Sequence, residues 1–224
     1  MINSRLIFLL ILTSLFAFSV WGSDSVMAQS KQRSSWEDVW RRIVGRREQD
    51  PPLGSRGSGL CLIAPTLTGQ VPLPVLWRSQ PLFVWQGDVK RIEVYDQAQT
   101  LMWQQSIPAA RQQIEYQGKP LQAGKTYELK LFTMPPSQRS QRTFFQIMET
   151  KQREQINQDL KKLAQKPGLT PIALTLQRAD YWSVKGLWEE AIAELYQAKN
   201  PSTELQEIQR AIALQTCESG KKLN

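Results

Sequence analysis

Apolar residues recur at every second position through the middle of this chain, between residues 81 and 132. A period of two places successive side chains on opposite faces of a β-strand, so one face of each segment is apolar. The pattern therefore predicts a series of half-buried strands. Their apolar residues are Leu82 and Val84, Ile92 and Val94, Leu101 and Trp103, Ile114 and Tyr116, and Tyr127, Leu129 and Leu131.

Turn-forming residues separate these strands at 86–88 and 96–99. Short strands at even spacing are typical of an antiparallel β-sandwich. Residues 121–127, LQAGKTY, resemble the tyrosine corner of such sandwiches, in which a tyrosine at the start of a strand bonds its hydroxyl to the preceding loop. Together with a further strand at 143–148, they predict an immunoglobulin-like β-sandwich over residues 60–148.

At Glu149 the apolar period changes from two to three or four, which predicts a helical unit over residues 149–224. Thr170 is the predicted N-cap of the second helix, and Gly186 ends that helix. The predicted fold class is thus α+β. The four predicted helices cover residues 149–166, 171–184, 188–199 and 203–216.

The segment ADYWSVKGLWEEAIAELYQA resembles one tetratricopeptide hairpin. Gly186 stands at the turn, while Ala179, Ala191 and Ala198 are small enough for two helices to approach closely. Trp182 would fill the space around them. Because a solenoid generally needs three or more repeats, we expect this single hairpin to pack against the sandwich.

The first 28 residues have the composition of a secretory signal peptide. Arg5 supplies a positive start, residues 6–18 are mostly apolar, and Val26-Met27-Ala28 places small residues where signal peptidase reads. We predict cleavage near Ala28 and export to the periplasm or the extracellular space. The alternative is an uncleaved membrane anchor, for which this apolar run is short of the ~20 residues that a span needs.

Residues 29–59 are predicted to form a basic N-terminal arm and linker. Trp36, Trp40 and Ile43 share one face of a short amphipathic helix. This helix could rest on an anionic membrane surface, or dock on the rest of the chain as a clamp; its shortness favours docking. The candidate partner-binding residues of the arm are Trp36, Trp40, Arg41, Arg42, Arg46 and Arg47.

The chain contains two cysteines, Cys61 and Cys217. In an oxidising compartment the two can pair and staple the last helix to the first strand. Alternatively Cys61, which lies between Leu60 and Leu62, is a small buried hydrophobic residue. Both interpretations stay open, because sequence does not show proximity.

The chain has no histidine and a formal net charge of +8. Without histidine, the Ser-His-Asp and Cys-His nucleophiles and the commonest zinc ligand are excluded. We therefore predict a protein that is not an enzyme and that has no catalytic residue, metal site or cofactor. The positive charge favours an anionic glycan or membrane surface as a further partner, and we expect no nucleic acid partner.

Two sets of residues carry candidate chemistry. Adjacent carboxylates occur at Glu37-Asp38 and Glu189-Glu190, but neighbours on a helix point ~100° apart, so we expect solvated side chains. Trp77, Trp85 and Trp103 would form a sugar-stacking platform if they shared an exposed face. Their alternation with aliphatic residues favours core packing for at least two of them.

Several short motifs resemble a cyanobacterial family of exported proteins, the domain-of-unknown-function 928 type. They are residues 45–65 (GRREQDPPLGSRGSGLCLIAP), LFVWQ, RIEVYD, TLMW, LQAGKTYELKLF and YWSVKGLWEEAIAEL. The resemblance implies export and a β-sandwich followed by a helical tail with one tetratricopeptide-like hairpin; it implies no activity. Thr133-Met134-Pro135 stands where family members tend to have a second cysteine.

The sequence thus predicts an exported, non-enzymatic interaction or binding module of the cell envelope. Its expected partner is an envelope protein, bound through the basic arm or the helical hairpin. The alternative function is binding of carbohydrate or cell wall through surface aromatics of the sandwich.

Overall fold

The fold is a mixed α+β arrangement, seen in a computed structural model that describes residues 38, 39, 41, 42, 59–65, 73–133 and 140–218. The predicted α+β class is confirmed at this level. The predicted signal peptide, residues 1–28, and most of the arm lie outside the described residues. All the described residues belong to one compact unit, Ser34–Asn224.

The strands of the described residues form two sheets. In chain order they are β1 Cys61–Ala64, β2 Val75–Leu76, β3 Leu82–Gln86, β4 Arg91–Asp96, β5 Leu101–Ser106, β6 Gln113–Glu115, β7 Thr126–Phe132 and β8 Ser140–Ile147. One sheet has the order β1-β3-β6 and the other β2-β8-β7-β4-β5. Neighbouring strands are antiparallel, except that β2 runs parallel to β8.

Strand β3 is buried on both faces, which differs from the half-buried strand that the alternation predicts. Phe83 and Trp85 enter the hydrophobic core that the two sheets share. Leu82 and Val84 point the other way and enter a second core, together with Trp182 and other helical residues. The strand therefore reads as a continuous apolar run, LFVW, because sheet covers one face and helices cover the other.

The predicted contact of Tyr127 with the preceding loop is present. The backbone N–H of Gln122 donates to the Tyr127 hydroxyl at 2.9 Å. The tyrosine ring itself is buried and stacks on Phe145 of β8, with 5.9 Å between the centroids. This residue therefore fixes the loop before β7 to the core of the two sheets.

Four helices follow the strands in the described part of the chain. They are α1 Thr150–Ala164, α2 Pro171–Val184, α3 Trp188–Gln197 and α4 Thr203–Glu218. Thr170 caps α2 by accepting the N–H of Ala173 at 3.2 Å. None of the four has the length and apolar character needed to cross a membrane.

Helices α2 and α3 form a hairpin that turns at Gly186. Gly186 has φ of +73°, which glycine adopts without strain. Its N–H donates to Ser183 O at 3.1 Å, and the N–H of Leu187 reaches Trp182 O at 2.9 Å. These two bonds form a Schellman motif, which satisfies carbonyls at the end of α2 and reverses the chain.

Candidate functional site

An ion-pair cluster joins the helical hairpin to the loop between β2 and β3. Arg78 lies in that loop, and Glu190 and Glu194 lie one turn apart on α3. Arg78 Nε is 2.9 Å from Glu190 Oε2, and Arg78 Nη2 is 2.6 Å from Glu194 Oε1. Arg178 of α2 also reaches Glu194 Oε1, at 2.7 Å. The cluster therefore ties α2, α3 and the loop together.

Glu190 is the most buried member of this cluster, with 2 % of its surface exposed. Its Oε1 accepts the backbone N–H groups of Trp77 at 2.9 Å and Arg78 at 3.2 Å. Burial raises the pKa of Glu190 above its usual value, and Arg78 and the two N–H groups oppose that rise. The expectation of a solvated Glu190 is wrong, because the β2–β3 loop covers this side chain and supplies a cation and two donors.

A cavity of about 380 Å³ lies beside the cluster, at the end of the hairpin opposite Gly186. Ile172 in the first turn of α2 is 44 % exposed on its rim, and Leu205 of α4 is buried in its wall. Arg178 and Lys199 supply cationic side chains. The cavity thus combines an apolar wall with cationic groups and one carboxylate, that of Glu194.

The charges around this cavity, called here the hairpin pocket, include one more cation than carboxylates. The cations are Arg78, Arg178 and Lys199, and the carboxylates are Glu190 and Glu194. Arg78 is paired with both carboxylates, and Arg178 is paired with Glu194. Arg78 also donates to Gln197 through Nη1, so its guanidinium has hydrogen bonds to Gln197 and Glu194 and an ion pair with Glu190. Within the described ranges, no group of three or more His, Cys, Asp or Glu side chains is placed to hold a metal ion.

The part of the basic arm that is described packs on the helical unit. Val39 is fully buried in the core that includes Trp182. Arg42 forms an ion pair with Asp180 of α2, and Arg41 lies 3.3 Å from Asp38. This arrangement corresponds to the clamp alternative for the arm. Of its other candidate partner-binding residues, Trp36, Trp40, Arg46 and Arg47 lie outside the described residues.

Cys61 and Cys217 form a disulfide in the structure, with 5.7 Å between their Cα atoms. The bond joins β1 to the last turn of α4, and earlier in the same helix Leu205 and Ile212 are buried in the core that the helices share with β1 and β3. The disulfide therefore fixes the C-terminal end of α4 to β1.

The three tryptophans considered as a sugar platform do not share an exposed face. Trp85 is fully buried between the sheets. Trp77 packs on Trp182 in the other core, at 5.2 Å between centroids. Trp103 is half-buried and packs on Tyr116 at 5.2 Å. These side chains therefore serve mainly as packing, and the carbohydrate alternative would need other aromatic residues.

Sequence reasoning missed the hairpin pocket and Arg78, which lines it and pairs with both glutamates of α3. One signal was available: α3 carries glutamates four residues apart within a run of Ala, Ile and Leu. A carboxylate on such an apolar face needs a cationic or N–H partner. The partner itself could not be found, because Arg78 is 112 residues away from Glu190 along the chain.

Comparisons with known proteins add no relative. A scan against protein-family models matches no family, and searches of curated proteins and of solved structures match none. The geometry described above is therefore the basis for a functional proposal.

Proposed function

We propose that this chain is an exported, non-enzymatic binding module of the cell envelope, and that it binds an acidic segment of a protein partner in the hairpin pocket. The observation that carries the proposal is the pocket itself: about 380 Å³ in volume, with an apolar wall at Ile172 and Leu205 and cations at Arg178 and Lys199. An acidic side chain beside an apolar residue would match both parts of this lining.

Three further features support a binding role. The formal net charge of +8 attracts acidic partners over long range. Arg78 is already held by its acceptors, so little side-chain entropy is lost when a ligand arrives. The pocket also lies at the open end of a helical hairpin that we propose to be tetratricopeptide-like. We further propose that the two sheets form an immunoglobulin-like sandwich, and that sandwich and hairpin together are of the domain-of-unknown-function 928 type.

The hairpin is favoured over the basic arm as the binding surface. Val39 is buried in the core, and the guanidinium of Arg42 is paired with Asp180. The described residues of the arm thus already use an apolar side chain and an arginine in contacts within the chain. The described part of the arm is then a clamp on α2.

Site-specific photocrosslinking in cells that express the full chain tests this proposal. A photoreactive amino acid replaces Ile172 at the rim of the pocket, or Val184 as the matched control. Val184 is 66 % exposed at the other end of the same helix. We expect a discrete protein adduct from position 172 that is absent at position 184. No adduct at 172, or the same adduct from both positions, would contradict the proposal.

A further inference from the structure

The outer face of the five-stranded sheet carries an aromatic ring that is open to solvent. The helices pack against β1, β2 and β3. On the interior strands β7 and β8, alternate residues such as Leu129 and Phe145 enter the core between the two sheets. The residues between them, which include Lys130 and Phe144, therefore lie on the other face of the sheet. Phe144 is 42 % exposed there.

Two cations lie directly opposite each other on this face. Lys130 of β7 is the cross-strand neighbour of Arg142 of β8. Side chains in this position have Cβ atoms about 4.5–5.5 Å apart, and like charges at that distance destabilise a sheet. Arg142 is exposed, and it has no acidic partner among the described residues. The opposed cations therefore carry a cost that an anion bound between them would remove.

Lys130 is positioned by its neighbours and still reaches solvent. Its Nζ lies 3.3 Å from Glu128 Oε2 and 4.2 Å from the centre of the Tyr95 ring. Gln99 contributes a third contact, at 3.4 Å between Oε1 and the Lys130 Nζ. Glu128 itself is buried, whereas the Lys130 side chain is 24 % exposed. The face therefore presents the cation to a ligand and keeps the carboxylate beneath it.

Phe144 stands beside the two cations. It lies two residues from Arg142 along β8, roughly 7 Å away on the same face. We propose that this face binds an acidic polysaccharide: a sugar ring stacks on Phe144, and its carboxylate lies between Lys130 and Arg142. A uronic acid sugar has an apolar ring face and a carboxylate in one rigid unit, so it matches both parts of the surface without ordering a flexible side chain.

A glycan fits this face better than an acidic peptide or a nucleic acid does. The carboxylate of an acidic peptide matches the cations, but it carries no ring for Phe144. A nucleic acid has rings, yet its phosphodiesters would lie beside Glu128, which is directly opposite Phe144. A sugar hydroxyl can donate to a carboxylate, whereas a phosphodiester has no donor and is repelled. The inference stands apart from the hairpin pocket, which lies among the helices.

Isothermal titration calorimetry of the full chain with oligogalacturonate tests this proposal. The control ligand is the same oligosaccharide in fully methyl-esterified form, which keeps the sugar rings and removes the charges. At constant ionic strength we expect the acid to bind at least about tenfold more tightly than the ester, because only the acid offers a charged acceptor to the two cations. No binding of the acid, or equal affinity for the two forms, would overturn the proposal.

Four variants separate this site from general attraction to a chain of net charge +8. Arg142→Gln and Phe144→Ala should each weaken binding of the acid about tenfold. Phe144→Tyr keeps the ring, and Lys119→Gln removes an exposed charge between β6 and β7, so both should bind like the wild type.

Three results with these variants would contradict the site. One is an Arg142→Gln protein that binds the acid as tightly as Lys119→Gln, and another is a folded Phe144→Ala protein that binds like the wild type. The third is polyglutamate or single-stranded DNA whose binding falls equally with both substitutions, which would assign the face to an acidic protein or to a nucleic acid. If Phe144→Ala fails to fold, Arg142→Gln alone decides, because its side chain is exposed and has no partner among the described residues.

Discussion

Replacing Glu190 by alanine should destabilise this protein by about 3–5 kcal/mol, the range found when one partner of a buried ion pair is removed. The structure shows why the loss is large. The variant leaves the backbone N–H groups of Trp77 and Arg78 without their acceptor, and each unsatisfied buried donor costs about 1–3 kcal/mol. Arg78 keeps Glu194, so its charge is only partly uncompensated.

Urea unfolding followed by tryptophan fluorescence, with the disulfide intact, measures this loss. The matched control is Glu189→Ala, at the adjacent and partly exposed position, which should change the free energy of unfolding by less than about 1 kcal/mol. Equal losses for the two variants, or a Glu190→Ala protein as stable as the wild type, would refute the buried cluster.

Three other predictions concern pH, backbone conformation and the disulfide. Since burial raises the pKa of Glu190, wild-type stability relative to Glu190→Gln should fall as pH rises above the ordinary glutamate value of 4.5; a relative gain would mean that Arg78 outweighs burial. Gly87→Ala should lower the free energy of unfolding, measured by thermal unfolding, by more than about 2 kcal/mol, because its Cβ would lie 2.1 Å from Gly59 O at φ of +101°. Gly168→Ala is the control: its φ is also positive but its Cβ would meet open space, so the loss should be about 1 kcal/mol. Equal losses would contradict the steric argument. Cys61→Ser combined with Cys217→Ser should lower stability by about 5 kcal/mol on the chain-entropy estimate for so long a loop, and unchanged urea unfolding would show that the bond adds no constraint.

The strands and helices followed from local patterns because their periods are local. Alternation placed β4 and β7, and the helix signals around Thr170 and Gly186 placed both ends of α2. What alternation did not show is which faces are covered. Alternation predicted a half-buried β3, whereas helices that lie later in the chain cover its second face.

The candidate site was beyond local reasoning for the same physical reason. Glu190 and Glu194 are part of a visible helix pattern, but their environment is set by Arg78, which the fold brings from 112 residues away. The arm illustrates the opposite case: its amphipathic pattern predicted a docked helix or a membrane contact, and the buried Val39 places the described part against the helical unit.

The most direct test of the proposed function is the yield of the adduct at position 172 in cells when a single arginine is removed. Arg178→Ala alters the hairpin pocket, whereas Arg42→Ala alters the basic arm. The proposal predicts that the adduct is lost with Arg178→Ala and retained with Arg42→Ala, at equal levels of folded protein. Loss with Arg42→Ala and retention with Arg178→Ala would contradict it and place the binding surface on the arm.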